Sequence, residues 1–198
     1  MSSMPEEDLP PYEGIGLEDV RLVKSDADAA EALAALSKAD VIGFDTESKP
    51  TFAKGEESTG PHLVQLATDD TAWLFQIGAS PAVDVLQGVL RAVLEAPDIL
   101  KVGFGLGDDL RRLRSKLGIE TNNVIDLSTA LRRGERNALG ARTAVARFFG
   151  QRLQKSKRIT TTNWAQARLT EKQILYAADD AHVALRIYRH WRATTPAE

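Results

Sequence analysis

Short apolar runs alternate with stretches of helical periodicity along this chain, and this alternation narrows its possible folds more than any other feature. Runs typical of buried strands lie at 20–24, 41–47, 62–77, 99–104 and 122–128. Helical patterns occupy 26–39, 81–96 and 107–117, and after residue 128 the pattern is helical to the end of the chain. The run at 62–77 contains the turn Asp69-Asp70 and predicts an antiparallel hairpin. Strands separated by helices, together with one hairpin, predict an α/β domain whose mixed β-sheet is covered by helices on both faces.

Size and composition set the class of protein. The chain has 198 residues, of which 43% are hydrophobic and 27% are charged, as expected for a single soluble domain with a sizeable core. It contains no cysteine, which excludes disulfides and thiolate metal sites but leaves oxygen ligands open. The formal net charge of -3 gives no overall attraction to nucleic acid, so any such interaction has to come from local charge.

The N-terminal segment differs in composition from the rest. Residues 1–18 are acidic and rich in proline and glycine, which predicts a flexible leader ahead of one domain at 19–195. This segment lacks the apolar core of a signal peptide, and no apolar run approaches the length that crosses a bilayer. We therefore expect a cytoplasmic protein without membrane contact.

Two carboxylates close the apolar run VIGFDTE at 41–47. Asp45 and Glu47 are two residues apart, so in a strand their side chains project from the same face. Acids on one face of a buried strand repel each other, and each is costly to remove from water. A divalent cation would offset both costs. The alternative is that the strand ends at Asp45 and both acids lie in solvent.

Two pairs of adjacent aspartates lie in helical patterns. In the first pair, Asp109 lies beside a face of leucines, whereas Asp108 points away from it toward two arginines. In the second, Asp180 shares an alanine-rich face with Tyr176 one turn before it, whereas Asp179 lies on a charged stripe typical of solvent. Helical projection therefore selects Asp109 and Asp180 as the inward-facing acids. A helix-start acid that interacts with the helix dipole, and a hydrogen-bonded core pair of Tyr and Asp, are the alternatives.

Three segments in order carry a family resemblance. FDTE, KVGFGLGDDLRRL and NWAQARLTEKQILYAADDAHVALRIY resemble the three motifs of the DEDDy branch of the DnaQ-like 3′-5′ exonucleases, which have a ribonuclease H-like fold. Within that branch, FDTESKPTF and HLVQLAT are most similar to Werner-type exonuclease domains, with ribonuclease D a close relative. The resemblance extends from about Val20 to Trp191. It implies four metal-binding acids at Asp45, Glu47, Asp109 and Asp180 and a catalytic tyrosine at Tyr176.

The resemblance also implies a reaction. Phosphodiester hydrolysis would use two Mg²⁺ or Mn²⁺ ions roughly 3.5–4 Å apart, which bind the attacking and leaving oxygens of an in-line displacement. Asp45 would bridge the ions, and Tyr176 would orient the attacking water. The substrate would be nucleic acid with a free 3′ end, single-stranded or at a duplex end, and the products nucleoside 5′-monophosphates. The similarity to Werner-type motifs favours DNA over RNA.

A basic segment precedes the third motif. Its members Lys155, Lys157 and Arg158 lie in a predicted loop where they can follow a phosphate backbone, and Trp164 can stack on a base. Phe52, in the loop after the first motif, is a second candidate for stacking. The alternatives are an ordinary solvated loop for the basic segment and a core position for either aromatic residue.

Three functions remain open from the sequence. The full set of four acids and a tyrosine favours a metal-dependent exonuclease. A catalytically silent nucleic-acid-binding module on the same fold is the alternative from another class, because a fold does not prove an activity. An oligonucleotide phosphodiesterase is the third.

Overall fold

The computed structural model describes residues 5–195 and contains a six-stranded sheet in that range. The strands are β1 (Val20–Val23), β2 (Val41–Glu47), β3 (Leu63–Ala67), β4 (Ala72–Phe75), β5 (Leu100–Gly103) and β6 (Val124–Asp126). Their order across the sheet is β1-β4-β3-β2-β5-β6. Strand β3 runs antiparallel to β2 and β4, and the other neighbours are parallel. The predicted mixed sheet and its β3–β4 hairpin are therefore confirmed.

The helices are α1 (Asp26–Leu36), α2 (Val83–Leu94), α3 (Gly107–Leu117), α4 (Leu127–Ala130), α5 (Ala141–Phe149), α6 (Lys157–Thr160) and α7 (Glu171–Thr194). Two 3₁₀ turns lie at Glu6–Asp8 and Leu17–Asp19. Irregular segments separate α4, α5, α6 and α7, and the helical pattern after residue 128 does not show them apart from the predicted loop before Trp164. Gly150 illustrates the reason: it ends α5 in the left-handed region at φ 60°, where glycine is favoured over other residues.

Helices cover the sheet on both faces, as predicted. One core joins Ile42 and Phe44 of β2 to apolar residues of α1, α2 and α3. The opposite face packs against α7, with α4 and α5 beside it. Strand β2 lies near the middle of the sheet, so both of its faces are covered by helices. None of the helices within residues 5–195 is long and apolar enough to cross a membrane.

The N-terminal residues from Pro10 to Ile15 are hydrogen-bonded to the rest of the chain. The amide of Tyr12 donates to the carbonyl of Arg152, and Pro11 pairs with Arg152 as an isolated parallel bridge. Further on, the amide of Ile15 donates to the carboxylate of Asp179 at 2.9 Å. Residues 10–15 of the predicted leader are thus attached to the rest of the chain. The division between leader and domain at residue 18 stays a prediction, and residues 1–4 lie outside the described part.

Glycine at position 43 permits close contact between β2 and α7. Because strand side chains alternate, Gly43 faces α7 together with Asp45 and Glu47, whereas Ile42 and Phe44 face the other core. A Cβ atom added at Gly43 would lie 1.8 Å from the carbonyl oxygen of Ala181 and 3.3 Å from the Cβ of Leu185. Only a residue without a side chain lets the backbone of α7 lie this near to the strand.

Replacing this glycine tests the contact. Gly43→Ala has to displace α7 from β2, so we expect the free energy of unfolding to fall by about 1–3 kcal/mol in urea denaturation. Gly88→Ala is the matched control, since Gly88 lies in α2 with no atom within 4 Å of an added Cβ. That control should be neutral or stabilising by up to about 1 kcal/mol. Equal effects of the two substitutions would show that the close contact is absent.

Candidate active site

Three carboxylates from two elements meet at the end of β2. Oxygen atoms of Asp45, Glu47 and Asp180 all lie within 4.8 Å of one another, and we call these three residues the acidic cluster. Asp45 is half-buried, and Glu47 and Asp180 are each only 9% exposed. The predicted spacing of Asp45 and Glu47 on one strand face is therefore realised, and the alternative in which both lie in solvent is wrong.

Helix α7 brings Asp180 to the strand. The helix begins at a capping box, in which Thr170 accepts from the amide of Gln173 and the Gln173 side chain accepts from that of Thr170. Asp180 lies beyond this start, next to Ala181, whose carbonyl oxygen approaches Gly43. The alanines on the same face are fully buried, so the helix can pack close enough for a short carboxylate side chain to reach β2.

Asp109 joins the same region from the opposite helical layer. It lies in the first turn of α3 and is 9% exposed. The hydroxyl of Thr46, on β2 between the two acids of that strand, donates to the Asp109 carboxylate. The neighbouring Asp108 side chain is 62% exposed and pairs with Arg111 at 2.8 Å. Periodicity had therefore selected the buried aspartate correctly, although Asp109 lies outside the mutual 4.8 Å group of the acidic cluster.

Burial and mutual repulsion make these acids hard to ionise. Removal from water, followed by the charges of Asp180 and Asp109, raises the pKa of Asp45 well above its usual range. Burial and the Asp180 charge raise the pKa of Glu47 to about 9. Burial also raises the pKa of Asp109 and of Asp180. A divalent cation with a preference for oxygen would offset this repulsion, so the donor set fits Mg²⁺ or Mn²⁺.

Lys155 brings a positive charge to the acidic cluster. Its ammonium group lies 2.8 Å from a carboxylate oxygen of Asp180 and 5.7 Å from the centre of the Tyr176 ring. Burial lowers the pKa of Lys155, but Asp180, with smaller contributions from Tyr176 and Asp45, raises it by more, so the pKa lies above its ordinary value. Lys155 lies in an irregular segment, as the sequence predicts. The structure adds an acidic partner that the sequence did not indicate.

Tyr176 lies one helical turn before Asp180, as predicted from the sequence. Its ring packs at a tilt against Trp164, with ring centres 6.0 Å apart. Its hydroxyl oxygen lies 2.6 Å from the side-chain oxygen of Thr160, at the end of α6. Burial, followed by the Asp180 charge, raises the pKa of Tyr176, so the phenol keeps its proton at neutral pH.

Asp179 does not lie on a solvated stripe, and that prediction is wrong. Its carboxylate accepts from the amide of Ile15, and burial raises its pKa to about 6. His182, three residues further along the same helix face, is 8% exposed and bonds to the carbonyl of Asp69 through Nε2. The helical projection failed on this face because segments distant in sequence, residues 10–15 and the β3–β4 turn, cover it.

The predicted nucleic-acid-binding residues fall into two groups. Lys157 and Arg158 are exposed on the short helix α6, beside the segment that carries Lys155. Trp164 is only 1% exposed, and its indole nitrogen donates to the carbonyl of Thr160. No ring face of Trp164 is open to a base, so its assignment to nucleic-acid binding is corrected to a core position. Phe52 is 84% exposed and stays a candidate for stacking.

A basic pocket adjoins the site. It has a volume of about 570 Å³ and includes Lys155 and Tyr176 in its wall. The remaining cationic wall residues are Arg142, Arg152 and Lys172. Sequence reasoning missed this grouping because the residues come from separate elements. It also missed Thr46 and Thr160, since a single threonine carries no pattern that points to a site.

The raised pKa values predict how stability depends on pH when EDTA removes divalent ions. Burial and the Asp180 charge raise the pKa of Glu47 from 4.5 to about 9 in the folded chain, so between these values the folded state retains a proton that the unfolded state has released. Stability should therefore fall as pH rises from about 4.5 to about 9, and Glu47→Gln should reduce this fall. Thermal unfolding followed by circular dichroism measures it.

The exposed Glu57 provides the control. Glu57→Gln should leave the pH dependence of the wild type unchanged, because the side chain of Glu57 is 89% exposed. Parallel curves for the wild type and Glu47→Gln would mean that Glu47 is not desolvated in solution.

Comparisons with known proteins agree with this arrangement. Residues 20–194 match a protein family described as 3′-5′ exonuclease. The bifunctional 3′-5′ exonuclease/ATP-dependent helicase WRN of Mus musculus is 31% identical over 158 residues, which cover 78% of this chain and 11% of that protein. Ribonuclease D of Sphingobium indicum is 29% identical over 170 residues, which cover 84% of this chain and 42% of that protein. The chain thus spans less than half the length of either relative.

A solved structure shares the fold. The Nibbler EXO domain of Aedes aegypti superposes with a TM-score of 0.75 at 27% identity, covering 89% of this chain and 88% of that one. The family match over residues 20–194 takes in both elements of the acidic cluster as well as α3 and α6. The chain therefore belongs to the 3′-5′ exonuclease family.

Proposed function

We propose that this protein is a metal-dependent 3′-5′ exonuclease that releases nucleoside 5′-monophosphates from the 3′ end of nucleic acid. The observation that carries the proposal is the acidic cluster, in which Asp45, Glu47 and Asp180 lie within 4.8 Å of one another in a chain of this family. Burial of carboxylates without a cation is costly, so a cluster of this kind is typical of a metal site.

Four acids would hold two divalent ions. Asp45, Glu47 and Asp180 provide oxygen ligands from the acidic cluster, and we assign the bridging position to Asp45 by resemblance to the family. Asp109 provides the fourth carboxylate, oriented by the hydroxyl of Thr46. Bound Mg²⁺ or Mn²⁺ would stabilise the attacking and leaving oxygens of the phosphodiester during an in-line displacement.

The remaining residues position the reactants. Tyr176 lies one turn from Asp180, where its hydroxyl can orient the attacking water. Lys155, whose ammonium lies 2.8 Å from the Asp180 carboxylate, can contact a substrate phosphate at the same place. Lys157 and Arg158 extend positive charge along the exposed side of α6 and would follow the nucleic-acid backbone. This local charge gives a binding path despite the net charge of -3.

The substrate is nucleic acid with a free 3′ end. Motifs similar to Werner-type domains favour DNA, whereas one relative is named ribonuclease D. The choice is best tested by incubating the protein with 5′-labelled single-stranded DNA and RNA of the same sequence, with Mg²⁺ or Mn²⁺. We expect a ladder of 5′-labelled fragments that shorten one nucleotide at a time, preferentially on DNA, and no cleavage in EDTA. Undiminished cleavage after thorough chelation would contradict a metal-dependent reaction.

Adjacent aspartates provide matched variants. Asp109→Asn removes a buried carboxylate next to Thr46, so the single-turnover rate should fall on the order of 10²-fold or more. Asp108→Asn removes an exposed carboxylate one residue away, and the rate should stay within a few-fold of the wild type. Circular dichroism and unfolding curves check that both variants fold. A silent binding module would bind the oligonucleotides and cleave none of them.

A further inference from the structure

The Tyr176 hydroxyl has one side-chain partner among the residues that the structure describes. The side-chain oxygen of Thr160 lies 2.6 Å from the phenolic oxygen, a short distance for two hydroxyl groups. Thr160 closes α6, a short helix that lies against α7. Thr160 therefore contacts the proposed catalytic tyrosine without belonging to the acidic cluster.

Thr160 is itself anchored within α6. Its side-chain oxygen lies 3.2 Å from the carbonyl oxygen of Ser156, one helical turn earlier. A threonine hydroxyl has one proton to donate and can also accept through its lone pairs. Either hydroxyl can therefore be the donor in the bond between Thr160 and Tyr176.

In either direction the tyrosine oxygen keeps a lone pair that can accept a further hydrogen bond. A phenol, with an ordinary pKa of about 10, is neutral at pH 7. Among the described residues, Thr160 is the one side chain that hydrogen-bonds to the phenolic oxygen. A water that donates one proton to this oxygen is held with its own lone pair available for attack on phosphorus.

We propose that Thr160 is a positioning residue for hydrolysis, which holds the Tyr176 hydroxyl so that its oxygen accepts a hydrogen bond from the attacking water. This inference rests on the proposed exonuclease function and adds one residue to it. The hydrogen bonds run from the water to the Tyr176 hydroxyl and from that hydroxyl to Thr160, which is anchored on α6. Thr160 touches neither substrate nor cation and acts through Tyr176.

The neighbouring threonine offers a matched control. The Thr161 hydroxyl donates to the carbonyl of Lys157 at 3.2 Å, the same bond one residue further along α6. Thr161 is exposed and, within the described part of the chain, makes no hydrogen bond to Tyr176. Thr160→Val and Thr161→Val therefore each remove a side-chain bond to the carbonyl four residues earlier, and only Thr160→Val also removes the partner of Tyr176.

The experiment is a double-mutant cycle in single-turnover cleavage of a 5′-labelled oligonucleotide at saturating protein. Thr160→Val should lower the rate about 5-fold to 10-fold, the value of one positioned hydrogen bond. Thr160→Ser, which keeps the hydroxyl, should restore the rate to within about 2-fold, and Thr161→Val should remain within the same range. In a Tyr176→Phe background, Thr160→Val should cause no further loss. Oligonucleotide affinity should be unchanged in each variant.

The outcomes separate this inference from the proposed function. An equal loss from Thr160→Val with and without the Tyr176 hydroxyl, or an equal loss from Thr161→Val, would show an effect on α6 alone and overturn the role of Thr160. A Tyr176→Phe variant as fast as the wild type would remove both residues from the mechanism and leave the metal site in place. A wild type that cleaves no nucleic acid would overturn the proposed function, and with it any role of Thr160 in hydrolysis.

A measurement without turnover tests the bond itself. In protein carrying ¹³C-labelled tyrosine, the Cζ signal of Tyr176 is assigned by its loss in Tyr176→Phe. That signal should shift in Thr160→Val and stay in place in Thr161→Val. An unmoved signal in Thr160→Val would show that the hydrogen bond does not exist in solution and would overturn the inference.

Discussion

The contact between Gly43 and the backbone at Ala181 is the constraint on which the site depends. Every second residue of a strand faces the same side of the sheet. Since Gly43 faces α7, Asp45 and Glu47 face α7 as well. Asp180 precedes Ala181 and is carried to the strand by the same approach. The carboxylates of the acidic cluster meet because two rigid elements touch where neither has a bulky side chain. Thr46, on the other face of β2, provides the matching link to Asp109 of α3.

The arrangement is unfavourable for a protein without cations. Four acids lie at the end of one strand with raised pKa values, because they have lost water and lie near one another. The ammonium group of Lys155 compensates part of this charge at Asp180. Apolar packing on the two faces of the sheet therefore offsets the cost of burying these acids, and holds them where they can bind cations. Tyr176 and Thr160 stand beside it with hydroxyl groups already bonded to each other. Metal binding, stability and water positioning are thus properties of one small region.

Local periodicity predicted those parts of the structure that depend on one element at a time. It gave the strand ending in Asp45 and Glu47, the hairpin, and the choice of Asp109 and Asp180 over Asp108 and Asp179 as the more buried of each pair, because burial within a helix or strand repeats regularly. It failed where distant segments meet. Asp179 appeared solvated because no local pattern shows that Ile15 would cover it. Trp164 carries no sign of whether an aromatic ring packs in a core or meets a base. The hydroxyl groups of Thr46 and Thr160 gain their partners only through tertiary contacts.

The central claim is that the acids of β2 and α7 form a cation site, and binding of Mn²⁺ without nucleic acid tests it most directly. Isothermal titration calorimetry, with free Mn²⁺ followed by electron paramagnetic resonance, compares the wild type with Asp45→Asn and Asp108→Asn. We expect saturable binding by the wild type and by Asp108→Asn, and affinity weakened by about tenfold or more in Asp45→Asn. If Asp45→Asn bound Mn²⁺ as tightly as the wild type, the acidic cluster would not be the metal site and the account would be contradicted.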